Sequence, residues 1–376
     1  MYKLFICLFL TAVGDLTFGF WLLKCIEAFA KSINSDKMTY LRINFVGILV
    51  LIICFSCNAQ VKNNNMTNEE NVNFSCDIET AECKPSDDSG IEEINLKVQP
   101  KVKLIYYTDP ICSACWAIEP ALKRFKLEYG DYLEIEYRMG GLLPGWEGFA
   151  DKNNSISKPS DVAHHWDEVG QQTGMSIDGD IWLEDPLDSS FPPSIAFKAA
   201  QKQGEEFALR FLRKIREQVF LEKKNITKEH FLVEAIEACQ GDTAQFLTDY
   251  HDESTKQSFH EEMKEGKKFG VRGFPTFIFI GNKGKGFKIS GTSGYKNYVI
   301  ALEKALGEKA EPKPIQLSEL DLLNKYKFIA TKEVSFILSQ NETTTLSNLN
   351  NLVELGEISN EKHKYGDFWR IAVSSN

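Results

Sequence analysis

The sequence has no cationic excess: 43 Lys and Arg face 53 Asp and Glu, for a net charge of −10. A general nucleic-acid binder needs a basic face to neutralise phosphates, so no nucleic-acid partner is expected. Histidine is scarce, six residues in 376, and His164 and His165 are adjacent rather than at ligand spacing. With no second C-x-x-C to complete a tetrahedral set, no metal is expected. Nor does the chain open on a clean membrane span. The apolar run Leu4–Ala30 is broken by Asp15, Lys24 and Glu27, charges that are costly within a bilayer. No internal repeat is present, and the nine cysteines are too dispersed for a small disulfide-stapled scaffold.

What is present reads as a globular protein: 43% hydrophobic and 26% charged residues, enough chain for one large domain or two ordinary ones. A second apolar run, Phe45–Phe55, follows Met38-Thr39-Tyr40-Leu41-Arg42 and leads into Ser56-Cys57-Asn58-Ala59-Gln60, the shape of a secretory signal. A small residue directly before Cys57 resembles a bacterial lipobox, although Cys54 stands where Leu is usual. The expectation is translation from Met38, acylation of Cys57, and a membrane-tethered chain on the periplasmic side of a bacterial cell envelope. A plain membrane anchor, cleavage after Ala59, or an unprocessed cytoplasmic chain from Met1 are the alternatives. Residues 1–57 therefore read as a signal or anchor region and 58–100 as a flexible polar tether. Within the tether, Cys76 and Cys83 could close a small loop in an oxidising compartment, as a structural pair or as an electron relay.

A domain begins at Lys101. Val102–Tyr107 is rich in β-branched, aliphatic and aromatic residues, the pattern of a buried strand. From Cys115 the pattern turns helical, with Trp116, Ile118, Leu122, Phe125 and Leu127 near one face and Gly130 as the stop. Leu133–Tyr137 alternates as a second strand, giving a right-handed βαβ unit. Residues 144–190 read as irregular. Helical spacing then runs through Ser194–Gln203, Glu205–Leu221, Lys228–Cys239 and Asp242–Phe269, with Thr227 as a candidate N-cap. Strands follow at Thr276–Ile280 and Phe287–Ile289, and a closing helix at Tyr295–Leu306. The order is βαβ, a helical insertion over about 144–269, then ββα: an α/β thioredoxin fold interrupted in its middle, spanning 101–310. Pro312 and Pro314 mark a second boundary. Residues 315–376 hold helix-like stretches at about 317–325, 331–339 and 344–355 and a strand-like Phe368–Val373, a small winged-helix-like α+β unit. Its Lys325, Lys327, Lys332 and Arg370 are balanced by Glu319, Asp321, Glu333, Glu354 and Glu357, so it reads as a packing or partner-binding module.

Cys112-Ser113-Ala114-Cys115 sits where the first strand hands over to the helix. A cysteine at a helix N-terminus meets unpaired N–H groups and the positive dipole end, which favour the reactive thiolate. Cys112 is the expected nucleophile. Cys115, three residues on, is the resolving thiol. Ser113-Ala114 carries no charge, so the redox potential is not fixed by the motif. Glu119 is either a proton-shuttling accessory beneath the cysteines or an exposed helix carboxylate. Trp116, Trp146, Trp166 and Trp182 are read as core before substrate contacts, His164 as a surface group that could border the site, and Cys239 as a buried packing residue.

Asp109-Pro110-Ile111-Cys112-Ser113-Ala114-Cys115-Trp116-Ala117-Ile118-Glu119-Pro120 resembles the DsbA superfamily, and within it the FrnE and YjbH/SpxH branch, whose motif has the form D-P-x-C-x-x-C-W-x-x-E-P. Gly273-Phe274-Pro275-Thr276 is similar to that superfamily's cis-proline loop, and Pro120 to its helix-kinking proline. The resemblance covers about 101–307. It implies a DsbA-like architecture in which the backbone of Phe274, Pro275 and Thr276 shapes a substrate groove facing the dithiol. Tyr106 departs from thioredoxins, which carry a buried Asp in this strand, and turns the reading from a thioredoxin-like reductase to a DsbA-like protein. Three functions are implied. The leading one is a thiol–disulfide oxidoreductase or isomerase acting on protein cysteines with a redox partner protein, needing no dissociable cofactor. The second is a non-catalytic adapter to a ClpXP-type protease, of the SpxH kind. The third is a glutathione-dependent isomerase of a small aromatic, disfavoured by the dithiol.

Overall fold

The computed structural model describes residues 73–76, 83–86 and 101–372, apart from 153 and 282–283. The signal-like region, the Met38 start and Cys57 lie outside the described residues. Among the described residues no helix is long and apolar enough to cross a membrane. The strands β1 (Asn73–Cys76) and β2 (Cys83–Ser86) form an antiparallel hairpin whose backbone register sets Cys76 opposite Cys83. They belong to one compact unit, and the described residues from 101 onward to another.

The second unit is built on a four-stranded sheet in the order β4-β3-β5-β6. Its central strand β3 (Val102–Thr108) is parallel to β4 (Leu133–Met139) and antiparallel to β5 (Thr276–Ile280), which pairs with β6 (Gly286–Ser290). Buried on both faces at every position but Lys103, β3 must be central, and its apolar run says why. The expected single helix from Cys115 is instead two. Helix α1 (Ser113–Ala117) ends at Ile118, and α2 (Glu119–Tyr129) restarts with Pro120 in its first turn. A proline has no N–H to give the preceding turn, so the break falls there.

The insertion is helical earlier than expected. Residues 144–190, read as irregular, contain α3 (Pro159–Thr173) and the short α4 (Ile181–Glu184). Helix α3 carries its own signals: Pro159 in the first turn, Asp161 accepting from the Lys158 N–H at 3.2 Å, and Gly174 ending it at φ 72°. Helices α5 (Phe191–Gln201), α6 (Glu205–Phe220) and α7 (Glu229–Ala238) follow. Thr227 is not the cap of α7. Lys228 holds that place, and the Thr227 hydroxyl donates to Asn225 at 2.6 Å. The long helix expected over 242–269 is split into α8 (Thr243–His251) and α9 (Glu253–Lys268), because Asp252 turns outward to accept from the Ser254 N–H at 2.8 Å. Helix α10 (Tyr295–Leu306) closes the fold.

The C-terminal part runs α11 (Glu319–Tyr326), β7 (Phe328–Ala330), α12 (Thr331–Leu338), α13 (Glu342–Glu354), β8 (Ile358–His363) and β9 (Gly366–Ile371), with sheet order β7-β9-β8. Helix, strand, two helices and a hairpin make the winged-helix-like order. The strands β7 and β8 had no clear alternation to announce them. This part has an apolar core of its own, with Leu322, Val334, Ile337, Leu349 and Trp369, and it joins the rest where Ala330 and Phe368 enter the buried cluster of Trp116 and Phe220. The crossing segment is tied down as well, the Lys313 N–H donating to the Glu128 carbonyl at 2.8 Å.

Candidate functional site

Strand β3 ends at Thr108, and the next residue organises everything that follows. Asp109 is fully buried. Its carboxylate accepts from the Ile111 N–H at 3.1 Å, the Leu142 N–H at 2.7 Å and the Ser190 hydroxyl at 2.8 Å. One side chain thus ties the dithiol loop, the exit of β4 and the start of α5. Burial pushes its carboxyl up to about 6, against the pull of those hydrogen bonds and of Arg216. The sequence reading missed Asp109 as a site residue. Its signals were its place as the leading acid of the D-P-x-C-x-x-C motif and its distance of three residues from Cys112; its burial was not visible.

Cys112 is the N-cap of α1, and its Sγ accepts from the Cys115 N–H at 3.1 Å. The two cysteines are joined as a disulfide with Cα atoms 5.2 Å apart. Cys112 is 3% exposed and Cys115 not at all, so an incoming sulfur reaches Cys112. Helix α1 has only five residues, so a long macrodipole is not what acts on this sulfur. The local N–H of Cys115 is.

Beside Cys112 lies the loop before β5. The Phe274–Pro275 bond is cis, and Thr276 pairs with Tyr107, which sets Pro275 next to the end of β3. The Thr276 hydroxyl donates to the Gly273 carbonyl at 2.7 Å, and the Pro275 carbonyl accepts from the Gly291 N–H at 2.7 Å. The Phe274 ring lies directly on Gly140, where a Cβ would overlap its tip. Phe274 and Cys112 are walls of one cavity of about 150 Å³, with Trp146, Trp166, Trp182 and His165.

The three indoles interlock edge to face, Trp182 lying 5.9 Å from Trp146 and 5.2 Å from Trp166. Trp166 and Trp182 are buried, Trp146 is half-buried, and all three line the cavity. Trp116 is core alone: it packs 5.4 Å from Phe220 and 6.1 Å from Phe368, and its indole N–H donates to the Ser176 carbonyl at 3.0 Å. His164 is exposed and pairs with Glu168 at 3.1 Å, whereas the next residue turns inward. His165 lines the cavity, where burial lowers its pKa. Glu119 is not the exposed carboxylate that one reading expected. It is largely buried, bonded to Arg216 at 2.8 Å and 3.4 Å from Lys123. Burial opposes its ionisation, but the two cations prevail and hold its pKa below the ordinary range. Cys239 is half-buried at the end of α7, and burial pushes its thiol up to about 11, an inert group. Tyr106 is fully buried and stacks on Phe277 at 4.4 Å, so the place of a thioredoxin acid is filled by an aromatic core.

A family model described as Thioredoxin matches residues 106–300. The ClpXP adapter protein SpxH of Halalkalibacterium halodurans is 36% identical over 307 residues, covering 81% of this chain and 99% of its own. This chain belongs to the SpxH family of DsbA-like thioredoxin-fold proteins. The SpxH of Bacillus subtilis is 30% identical, with 72% of this chain and 89% of its own covered. Among solved structures, a cytosolic disulfide reductase, DsbM of Pseudomonas aeruginosa, superposes with a TM-score of 0.41 at 21% identity, over 55% of this chain and 95% of that one.

Proposed function

We propose that this chain is a protein-binding adapter of the SpxH kind, which holds a protein client and delivers it to a ClpXP-type protease. The observation that carries the reading is the extent of the family likeness. It runs over 307 residues and 99% of a relative bearing that name, well beyond the thioredoxin match at 106–300. The ordering of the expectations changes accordingly: exchange chemistry came first in the sequence, and the adapter comes first now. The test is reconstitution. Removing the gene should stabilise at least one protein whose turnover also needs the protease. Adding the purified chain back to protease and that protein should restore degradation. If no protein depends on both, the adapter reading fails.

Thiol–disulfide exchange is the second reading, favoured by Cys112 at the head of α1 in the wall of a cavity shared with Phe274. A client thiolate attacks Cys112 Sγ and Cys115 leaves as thiolate. A second client thiolate then attacks the mixed disulfide and releases Cys112, so the client is oxidised by two electrons and the couple is reduced. Insulin reduction or RNase refolding reports this directly, and full activity in Cys112→Ser removes it. Location separates the two readings further. An adapter of this kind works in the cytosol, whereas an acylated Cys57 would hold the chain in the cell envelope. The mass of the mature N-terminus decides between them.

A further inference from the structure

The insertion, the dithiol helices and the C-terminal part meet in one cluster of buried charge. Glu333 of α12 is 0% exposed. It accepts from both guanidinium nitrogens of Arg213, at 2.9 and 3.1 Å, from the Ala330 N–H at 2.8 Å, and from Lys123 of α2. Lys123 reaches back to Glu119 at 3.4 Å, and Glu119 takes a hydrogen bond from Arg216 at 2.8 Å. Arg216, 1% exposed, donates to the Thr108 hydroxyl at 2.6 Å and to the Asp109 carbonyl at 3.2 Å. That carbonyl also receives the Cys112 N–H at 3.2 Å. A second arm is shorter: the Arg213 guanidinium lies 4.4 Å over the ring of Trp116, the residue after Cys115. Arg213 also bonds Glu217 at 2.7 Å. The carboxylates Glu119, Glu217 and Glu333 thus face Lys123, Arg213 and Arg216, with Asp109 beside Arg216 as a further acid.

We infer that Glu333 is a positioning residue of the dithiol: the C-terminal part supplies the anion that neutralises the cluster under Cys112 and so sets the redox equilibrium of the Cys112–Cys115 couple. The inference rests on reading these two cysteines as a redox couple, in an adapter or an enzyme alike. Its sign follows from charge. Without Glu333 the cluster is more positive by one charge in low dielectric. That change favours a thiolate at Cys112 and thus the reduced form. Removing Lys123 does the reverse. The C-terminal part is then a working component of the site rather than an appendage. A partner that shifts it shifts the couple, and the redox state acts back on the docking by the same factor.

The experiment equilibrates the full chain in a series of glutathione redox buffers, traps thiols by acid quench and alkylation, and reads the reduced fraction by mass. Relative to wild type, Glu333→Gln should move the equilibrium five- to tenfold toward the dithiol, tenfold being about 30 mV for a two-electron couple. Lys123→Gln should move it in the opposite direction. Lys364→Ala is the control. It removes contacts from the C-terminal part to Asp167, Asp178 and Asp180 but touches nothing in the cluster, and should stay within twofold. Equal equilibria in wild type and Glu333→Gln overturn the inference, as do shifts of the same sign in all three variants. Should Glu333→Gln not fold, Lys123→Gln decides against the Lys364→Ala control: a shift away from the dithiol beyond twofold supports the inference, and a Lys123→Gln equilibrium within twofold of wild type overturns it. A wild-type chain that never forms the Cys112–Cys115 disulfide would instead defeat the reading of a redox couple.

Discussion

Gly140→Ala should damage recognition at the site while sparing the fold. Gly140 follows β4, and a Cβ there would overlap the tip of the Phe274 ring. No positive φ forbids alanine at this position, so the whole effect is steric. The obstacle is the far end of a half-buried side chain, which can rotate away. The stability cost should therefore fall at or below the low end of overpacking, about 1 kcal/mol. What moves is a wall of the Cys112 cavity and the residue before Pro275. Gly281→Ala is the matched comparison, because its Cβ would overlap the Ala305 carbonyl oxygen, which is backbone and cannot step aside. It should cost about 3 kcal/mol. At about 2–4 °C per kcal/mol, Gly281→Ala should lower Tm by about 6–12 °C and Gly140→Ala by no more than about 4 °C. Exchange should show the reverse. Gly140→Ala should slow reaction with a protein disulfide such as insulin roughly tenfold and leave reaction with glutathione disulfide within twofold. Equal losses of Tm in the two variants, or unchanged insulin exchange in Gly140→Ala, would refute the steric reasoning.

Further outcomes follow from the buried charges and the dithiol. Asp109 has its pKa raised from 3.8 to about 6, so the folded chain holds the proton more tightly than the unfolded one. The resulting stability, about 3 kcal/mol at 1.36 kcal/mol per unit, is present in full below the unfolded value and lost as pH rises through about 6. Denaturant titrations of Asp109→Asn should lack that loss between pH 4 and 6.5; an unchanged slope contradicts the assignment. Glu333 has the opposite sign, held near 2 from 4.5 because Arg213 and Lys123 outweigh its burial. Its contribution, again about 3 kcal/mol, is present above pH 4.5 and lost as pH falls through 2. The stability gap between wild type and Glu333→Gln should close as the pH drops from 5 toward 2. Cys112→Ser should abolish mixed-disulfide trapping of a client thiol by mass spectrometry while leaving protease delivery within twofold, and loss of both would tie delivery to the sulfur.

Much of this architecture could be read along the chain because it is written in local patterns. The apolar run Val102–Tyr107, the C-x-x-C after it and Thr276–Ile280 after a proline are short-range signals, and each is where it was expected. Helix α3 escaped because its apolar positions are interleaved with Gly, His and Gln, and because Asn- and Ser-rich chain precedes it. The break between α8 and α9 hangs on which way Asp252 turns, and propensity does not decide that. The dithiol and the Phe274–Thr276 loop were legible as residues. Gly140, Arg213 and Arg216 were not, and Asp109 was legible only as the first residue of its motif, because their roles come from segments that meet only after folding. Asp109 and Ser190 are 81 residues apart, and Lys123 and Glu333 are 210.

The geometry bears on how adapter and exchange readings could be told apart at this site. A sulfur that is 3% exposed gives little room for attack by collision alone. On the proposed exchange reading, a client strand would first be seated against Phe274 and the indole wall before its sulfur meets Cys112. Seating would then come first, with electron transfer as the step that it permits. Selection for client binding alone would keep the cavity, Asp109 under the loop and the Phe274–Gly140 contact. Selection for exchange would add a demand on the charge cluster, since that sets how readily Cys112 is released as thiolate. A chain that serves only as an adapter should therefore tolerate Glu333→Gln in protease delivery once folding is matched. A chain that exchanges disulfides should not tolerate it in turnover.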